Sequence, residues 1–400
     1  MSATHALAHP RSNIPAAARL LLSLLGRLQA GRLDLITPEG DELRFRGIAD
    51  GARAALRIND WKACGAILRS GDIGFAEAYR DGLLDTADLT AVLRVALQNE
   101  AVLEPAVFGS ALANAWHWLR HYLRRNSRAG SRRNIHAHYD LGNDFYSLWL
   151  DPTFTYSSAY FGGDYSATLQ DAQQAKYQQI LDVLRLEPGM RVLEIGCGWG
   201  GFAEYAGSRG IAVHGVTIST AQLEFAQERT RGLAGVELEL CDYRDIRGEY
   251  DAVVSIEMFE AVGEAYWPAF FATVRDRLKA GGRAVVQTIT IRERHFLRYR
   301  AGSDFIQQFI FPGGMLASPE RFAAAARRQD LASAGSVDFG PDYAETLRRW
   351  RVAFEANLSS VRELGFDEAF IRIWRLYLCY CEAAFDASRI SVMQTCLVRA

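Results

Sequence analysis

The sequence predicts an α/β protein: a parallel sheet covered by helices on both faces, preceded by a small α+β unit. Three observations carry this reading. Between residues 191 and 288, short apolar runs alternate with helical stretches at the spacing of repeated βα units. The first of those runs, Arg191-Val192-Leu193-Glu194-Ile195, ends in the glycine-rich turn Gly196-Cys197-Gly198-Trp199-Gly200-Gly201. Ahead of them, residues 33–45 alternate about a Pro-Glu-Gly-Asp turn, the pattern of a β-hairpin.

The glycine turn organises the rest. Pro188-Gly189 sets the strand off from the preceding helix, and the glycines permit a turn no side chain could enter before a helix begins near Phe202. Read literally, Gly196-x-Gly198-x-x-Gly201 satisfies the dinucleotide fingerprint. Two features oppose a pyrophosphate cofactor. Trp199 would crowd phosphates on the helix N-terminus, and no acidic residue follows the next strand near Thr217. A cofactor without phosphates fits better.

The N-terminal 15 residues, punctuated by Pro10 and Pro15, are expected to be disordered. Residues 16–30 carry leucines at helical spacing, and a strand at 54–58 with helices through Leu97 completes the small unit. That unit holds no cluster of catalytic residue types, so packing, lipid contact or dimerisation is its expected work. In 116–133, six arginines interleave with Trp116, Trp118, Tyr122 and Leu123. Such a segment can rest on an anionic membrane surface, or it is a solvated linker; Gly130 and Ser131 place a domain boundary at 128/129. His136, His138 and Asp140 are close in sequence, but no further partner completes a metal-ligand pattern and no metal is expected.

The later elements follow in order: a helix over 168–185, strands at 191–195, 212–218, 236–240 and 250–256, and a fifth strand at 283–288 after a Gly281-Gly282 turn. Residues 221–230 form a helix with Ser219 or Thr220 as its cap. Strand ends at the carboxyl edge are the site candidates. Thr217, Asp242 and Glu260 lie there; Asp242 is placed to accept from an adenine amino group, Tyr243 or Trp199 to offer an aromatic face, and Thr217 with Gln222 to supply neutral hydrogen bonds. Asp242 and Thr217 read equally as helix caps.

The 49% apolar and 23% charged composition describes an ordinary globular protein, and a net charge of −2 argues against a nucleic-acid binder. No apolar run approaches bilayer-spanning length, so a cytoplasmic location is expected. The six cysteines form no CxxC pair and read as reduced core thiols.

Successive motifs then resemble the cyclopropane fatty acid synthase family, which has the Rossmann-like class I methyltransferase fold. They are 134–144 with Tyr156-Ser157, the 194–201 loop, Val216-Thr217-Ile218-Ser219 with Gln222, Asp242-Tyr243-Arg244-Asp245, Met258-Phe259-Glu260-Ala261-Val262-Gly263, 309–314 and Asp342-Tyr343-Ala344-Glu345-Thr346-Leu347. The match runs from about residue 130 to the C-terminus; the N-terminal part resembles, more weakly, the accessory domain of bacterial synthases.

The resemblance implies transfer of the methyl of S-adenosylmethionine to a cis double bond of an acyl chain in a membrane phospholipid. It places Tyr156, Ser157, Glu194, Gly196, Gly198, Gly200, Thr217, Gln222, Asp242 and Tyr243 at the cofactor. A dry aromatic pocket must shield the carbocation, and Phe145, Tyr160, Phe161, Phe305, Phe309 and Phe311 are candidates. It further implies a bound bicarbonate as base, held by Glu260, the Tyr343 hydroxyl, the Ile289 backbone amide, Gln287 at the family's histidine position and the backbone of Ser158 at its cysteine position. Glutamine keeps a donor but titrates no proton, so the product stays open between a cyclopropane and a methyl-branched chain. Glu257, one turn before Glu260, reads as an exposed helix carboxylate. Two competing readings are an N-methyltransferase for a small amine and a non-catalytic lipid binder. A peripheral attachment to the inner face of the membrane and a homodimer are further expectations.

Overall fold

The computed structural model describes residues 14–103 and 141–399. The expectations about the extreme N-terminus, the arginine-rich 116–133 segment, the 128/129 boundary and His136 to Asp140 fall outside them.

The first unit is built from two periodicities. Helix α1 (Ala16–Leu25) buries Ala18, Leu21, Leu24 and Leu25 on one stripe. It stops at Gly26 instead of reaching residue 30, because 30–36 alternate in burial with period two and form β1 (Ala30–Ile36). The expected hairpin is present: β1 pairs antiparallel with β2 (Glu42–Arg46). β3 (Ala49–Ile58) runs parallel on the other side of β1, and β4 (Leu84–Asp85) closes the order β2-β1-β3-β4. Helix α2 (Lys62–Arg80) bends at Gly71, and α3 (Leu89–Gln98) is capped by Asp88, which accepts from the Ala91 amide at 2.9 Å.

The second unit opens with α4 (Asn143–Ser147) and α5 (Leu169–Leu184). Then alternate β5 (Arg191–Ile195), α6 (Gly201–Gly207), β6 (Ala212–Thr217), α7 (Thr220–Arg229), β7 (Val236–Leu240), β8 (Tyr250–Ile256), α8 (Trp267–Arg277) and β9 (Leu278–Ile291). The chain finishes through α9 (Glu293–Ala301), α10 (Pro319–Arg327), β10 (Leu331–Asp338), α11 (Gly340–Ala356), α12 (Leu358–Glu363), α13 (Glu368–Asp386) and β11 (Ile390–Arg399). The sheet order is β10-β11-β9-β8-β5-β6-β7. Five strands are parallel, but β11 is antiparallel to β9 and β10 to β11, so the sheet is mixed. Successive strand residues serve opposite cores. Val192, Val213 and Val254 face α5 and α6, whereas Leu193, Val216 and Val253 face α8.

One expected turn is absent. β9 runs through Gly281-Gly282 and absorbs them in an irregularity between the Tyr250–Leu278 and Ala252–Arg283 pairings. The chain leaves β5 in one direction to β6 and in the other, later, to β8, which puts a crevice at the carboxyl ends of these strands.

Helix α13 joins the units. Arg372 donates to the Leu84 carbonyl at 2.7 Å and pairs with Asp85 at 2.6 Å. Glu382, 1% exposed, meets Arg94 of α3 and Arg348 and Arg351 of α11. Glu382→Gln is expected to cost about 1–2 kcal/mol, read as a lower urea midpoint; the arginines stay 27–37% exposed and water softens the loss.

Candidate active site

The glycine turn at the end of β5 has the backbone its composition demands. Gly196, Gly198 and Gly200 have φ of 86°, 52° and 80°, in the left-handed region. A Cβ on Gly196 would sit 2.8 Å from Met258 Cγ, whereas one on Gly198 would meet no atom of the described residues within 4 Å. Gly200 is the cap that starts α6.

A cavity of about 690 Å³ opens over this turn. Tyr156, Ser157, Glu194, Gly196, Gly198, Thr217, Gln222, Asp242 and Tyr243 all line it; Gly200 does not. Thr217 and Gln222 are tied together at the edge of β6: the Thr217 hydroxyl donates to Gln222 Oε1 at 3.2 Å and accepts from the Ser219 amide. Asp242 is held by Arg244, whose guanidinium pairs with it at 2.5 Å. Tyr243 and Trp199 both line the cavity, and Trp199 is held in place by Tyr146 and Phe154 and by its donation to Asn143 at 2.8 Å. Glu194 Oε2 is buried without a hydrogen-bond partner, and burial pushes its carboxyl well above the usual range. A partnerless carboxylate oxygen beside an open glycine cradle suits a ligand carrying positive charge and no phosphate.

The second cluster differs from the expected one. Glu257 is no exposed helix carboxylate. It follows the last residue of β8 with φ of 50°, half-buried on the cavity wall. Its Oε1 accepts from the Ser158 amide at 2.8 Å and from Gln287 Nε2 at 2.7 Å; its Oε2 accepts from the Tyr343 hydroxyl at 2.7 Å. Each donor is fixed from behind. Gln394 Nε2 donates to Gln287 Oε1 at 2.8 Å, so the Gln287 amide must turn its NH2 toward Glu257. Thr346 accepts from the Ala159 amide, and Asp342 from Phe161 and Gly162, which fastens the 157–162 loop to α11. Gln173 and Lys176 of α5 hold Ser157: Gln173 donates to its carbonyl at 2.9 Å and Lys176 to its hydroxyl at 2.6 Å. Burial lowers the Lys176 ammonium to about 7, against the attraction of Glu257.

Glu260 stands apart from those donors. Its Oε1 accepts from the Thr288 hydroxyl at 2.9 Å and from the Ile289 amide, while its Oε2 is buried without a partner. The five groups expected to cradle bicarbonate therefore do not form an anion site: three are spent on Glu257, the fourth on Glu260 itself. Bicarbonate does not fit these residues, and no step is routed through it.

Burial first, then the charge of Glu257, pushes Glu260 up to about 8. In the unfolded chain its carboxyl ionises near 4.5, so between pH 4.5 and 8 the folded state holds the extra proton and stability falls as pH rises. Glu260→Gln is expected to flatten this slope. Melting temperatures of parent and variant at pH 5 and 7 check it: the parent should lose more than the variant.

Of the aromatic residues expected around the reacting carbons, only Phe311 lines the cavity. Phe145 is in a ring cluster with Phe366, Phe370 and Trp374, Tyr160 and Phe161 pack near α11, and Phe305 and Phe309 lie beside Tyr380. The walls are instead Tyr156, Tyr299, Tyr343, Tyr377 and Phe385. Tyr377, Cys381 and Phe385 recur every four residues on α13, a stripe visible in the sequence but overlooked there.

Among the described residues no three metal-ligating side chains come together, and all six cysteines are free.

Residues 126–395 match the family described as mycolic acid cyclopropane synthetase. The chain belongs to that family. Among its relatives within and around this cyclopropane synthetase family, tuberculostearic acid methyltransferase UfaA1 of Mycobacterium tuberculosis is 37% identical over 98% of this chain and 93% of its own length. Cyclopropane-fatty-acyl-phospholipid synthase of Escherichia coli K12 is 36% identical over 87% of this chain and 88% of its own. The structure of mycolic acid cyclopropane synthase CmaA1 complexed with SAH and CTAB superposes with a TM-score of 0.62 at 33% identity, covering 66% of this chain and 97% of that one. Coclaurine N-methyltransferase, at 18% identity and a TM-score of 0.64, shares the fold.

Proposed function

We propose that this chain transfers the sulfonium methyl of S-adenosylmethionine to a carbon of a cis double bond in an unsaturated acyl chain carried by a membrane phospholipid, giving a cyclopropane or methyl-branched product. The observation that carries this is the reach of the cavity. One end is the glycine turn; the other is the interior of the N-terminal unit, where Leu33, Leu35, Leu56, Ile58 and Val92 line it. A small amine has no use for such an apolar extension, and a purely lipid-binding protein has none for two carboxyl groups inside it. The names of the two curated relatives, a fatty acid methyltransferase and an acyl-phospholipid synthase, support the same substrate class.

When bound, S-adenosylmethionine supplies an electrophilic methyl, and the alkene is the nucleophile, so no activated side chain is needed for attack. What the chain adds is holding and shielding. Glu194 and the open face at Gly198 hold the cofactor, with Asp242, Tyr243, Thr217 and Gln222 along its length. The rings of Tyr156, Phe311, Tyr377 and Phe385 line the cavity, where they keep water out and supply aromatic surface near a positive carbon.

The N-terminal unit is accordingly read as gripping lipid rather than building a dimer, because its core is open to the cavity. The arginines of 116–133 supply an attachment to anionic lipid phosphates, which puts the protein on the inner face of the membrane as a peripheral partner. No described helix is long and apolar enough to cross a bilayer.

Incubation with methyl-labelled S-adenosylmethionine and vesicles of dioleoyl phospholipid tests the reading. Label is expected in lipid; upfield ring methylene protons in the NMR spectrum indicate a cyclopropane, and olefinic protons beside a new branch indicate branching. Label in added amines with none in lipid would overturn it in favour of N-methylation.

A further inference from the structure

We propose that Glu257 is a proton acceptor of the reaction, a carboxylate built into the chain at the place where a bound bicarbonate was expected. The inference rests on the function proposed above and adds who takes the proton.

The argument is one of convergence. Three donors from three parts of the fold meet on this one side chain: the Ser158 amide from the loop before α5, Gln287 from β9 and Tyr343 from α11. They are three of the five groups the resemblance assigned to an external anion. Both lone pairs of Oε1 are used, by Ser158 and Gln287; Oε2 carries only the Tyr343 hydroxyl, which leaves it one position for a proton. An added anion would find the donors of these groups already turned to Glu257 and would meet two carboxyl groups.

Position agrees with the role. Glu257 precedes Met258, whose side chain fills the space a Gly196 side chain would need, so the carboxylate stands beside the cofactor turn on the same cavity wall. The backbone there keeps a left-handed φ of 50°, a conformation costly for glutamate and characteristic of a site where a side chain must be aimed. Burial makes Glu257 more basic than an ordinary carboxylate, while Lys176 and the three donors favour its charged form. The neighbouring Glu260, raised to about 8, remains protonated at neutral pH and does not compete as base.

The step balances. When the alkene π pair forms the bond to the methyl carbon, the S–C bond breaks with its electron pair on sulfur, and one former alkene carbon is left cationic. Glu257 Oε2 then takes a proton from the added methyl. The released C–H pair closes the three-membered ring or, after a 1,2-hydride shift has moved the cation to the carbon bearing the methyl, forms a methylene (C=CH2) branch on the open chain. Carboxylate and cation become carboxylic acid and neutral lipid, and the acid returns its proton to water when the product leaves.

Three forms of the full-length protein test this: parent, Glu257→Gln and Glu257→Gly, the last suited to the positive φ. Turnover on dioleoyl phosphatidylglycerol vesicles is measured in buffer stripped of carbon dioxide and again with added sodium bicarbonate. Melting temperature and S-adenosylhomocysteine affinity are recorded without lipid. The parent is expected to be indifferent to bicarbonate in both turnover and melting. Glu257→Gln should lose on the order of 10²-fold or more in turnover, the usual contribution of a positioned base, with cofactor affinity within about twofold. Glu257→Gly frees the three donors, so bicarbonate should raise its melting temperature and restore at least part of its turnover. A parent that needs bicarbonate, or a Glu257→Gln variant of undiminished turnover, overturns the proposal. If the parent labels no lipid at all, the function proposed above has failed. The melting series then decides the anion-site assignment alone: a bicarbonate shift in the glycine variant but not the parent keeps it, and its absence overturns it.

Discussion

Gly196→Ala is expected to weaken S-adenosylhomocysteine binding ten- to hundredfold, measured by titration calorimetry. Two costs add. Alanine pays roughly 1–2 kcal/mol for a left-handed backbone that glycine adopts freely. Its Cβ would also stand 2.8 Å from Met258 Cγ and 3.0 Å from Met258 Cβ, so either the turn or the segment carrying Glu257 and Met258 must shift. The free variant is expected to relieve both costs by relaxing the turn, so binding must restore them; at about 1.4 kcal/mol per factor of ten, this reaches the stated range. Gly198→Ala is the companion: no atom of the described residues lies within 4 Å of its Cβ, so a ligand in the cradle is what the added methyl is expected to meet beyond the backbone term. Equal cofactor affinity in Gly198→Ala and parent would mean the ligand lies elsewhere.

Phe145→Ala should cost about 3–5 kcal/mol of stability, the range for truncating a fully buried aromatic ring. Its ring is 4.9 Å from Phe366, 5.0 Å from Trp374 and 5.4 Å from Phe370, and it also touches Tyr146 and Trp149. Through Trp149 and Trp350 this cluster backs Tyr156 and Tyr343 on the cavity wall. Chemical denaturation measures the loss; a change under 1 kcal/mol would mean that the α4 segment is not anchored by this ring.

What the sequence disclosed and what it hid follow from locality. The β5 turn and the strands at 191–195 and 250–256 were legible because apolar runs between glycines and polar caps carry their own punctuation, and 236–240 because it alternates with period two. β10 was not, for most of its residues are exposed and small, and only its pairing with β11 makes it a strand. The length of β9 was misjudged because Gly281-Gly282 has the composition of a turn, while a pairing irregularity with β8 lets the strand pass through. In the site, Thr217 and Asp242 could be named from strand ends and the glycines from the β5 turn, whereas Tyr156 and Ser157 came only with the family resemblance. Glu257 was the costly miss. Its neighbours in sequence suggest a helix face, and nothing local announces that Ser158, Gln287 and Tyr343, 99, 30 and 86 positions away, turn their donors toward it. The clue was available in principle: Glu257 follows directly on a strand at the carboxyl edge, where ligands of such sheets bind.

The paired amides of Gln394 and Gln287 set a direction that acidity cannot reverse. An imidazole in that place gains or loses a proton near neutrality and so changes the sense in which it presents itself to a neighbour. Gln287 holds its carbonyl toward Gln394 and its nitrogen toward the carboxylate whatever the surrounding medium. Over the span in which histidine titrates, Gln287 therefore presents the same donor to Glu257.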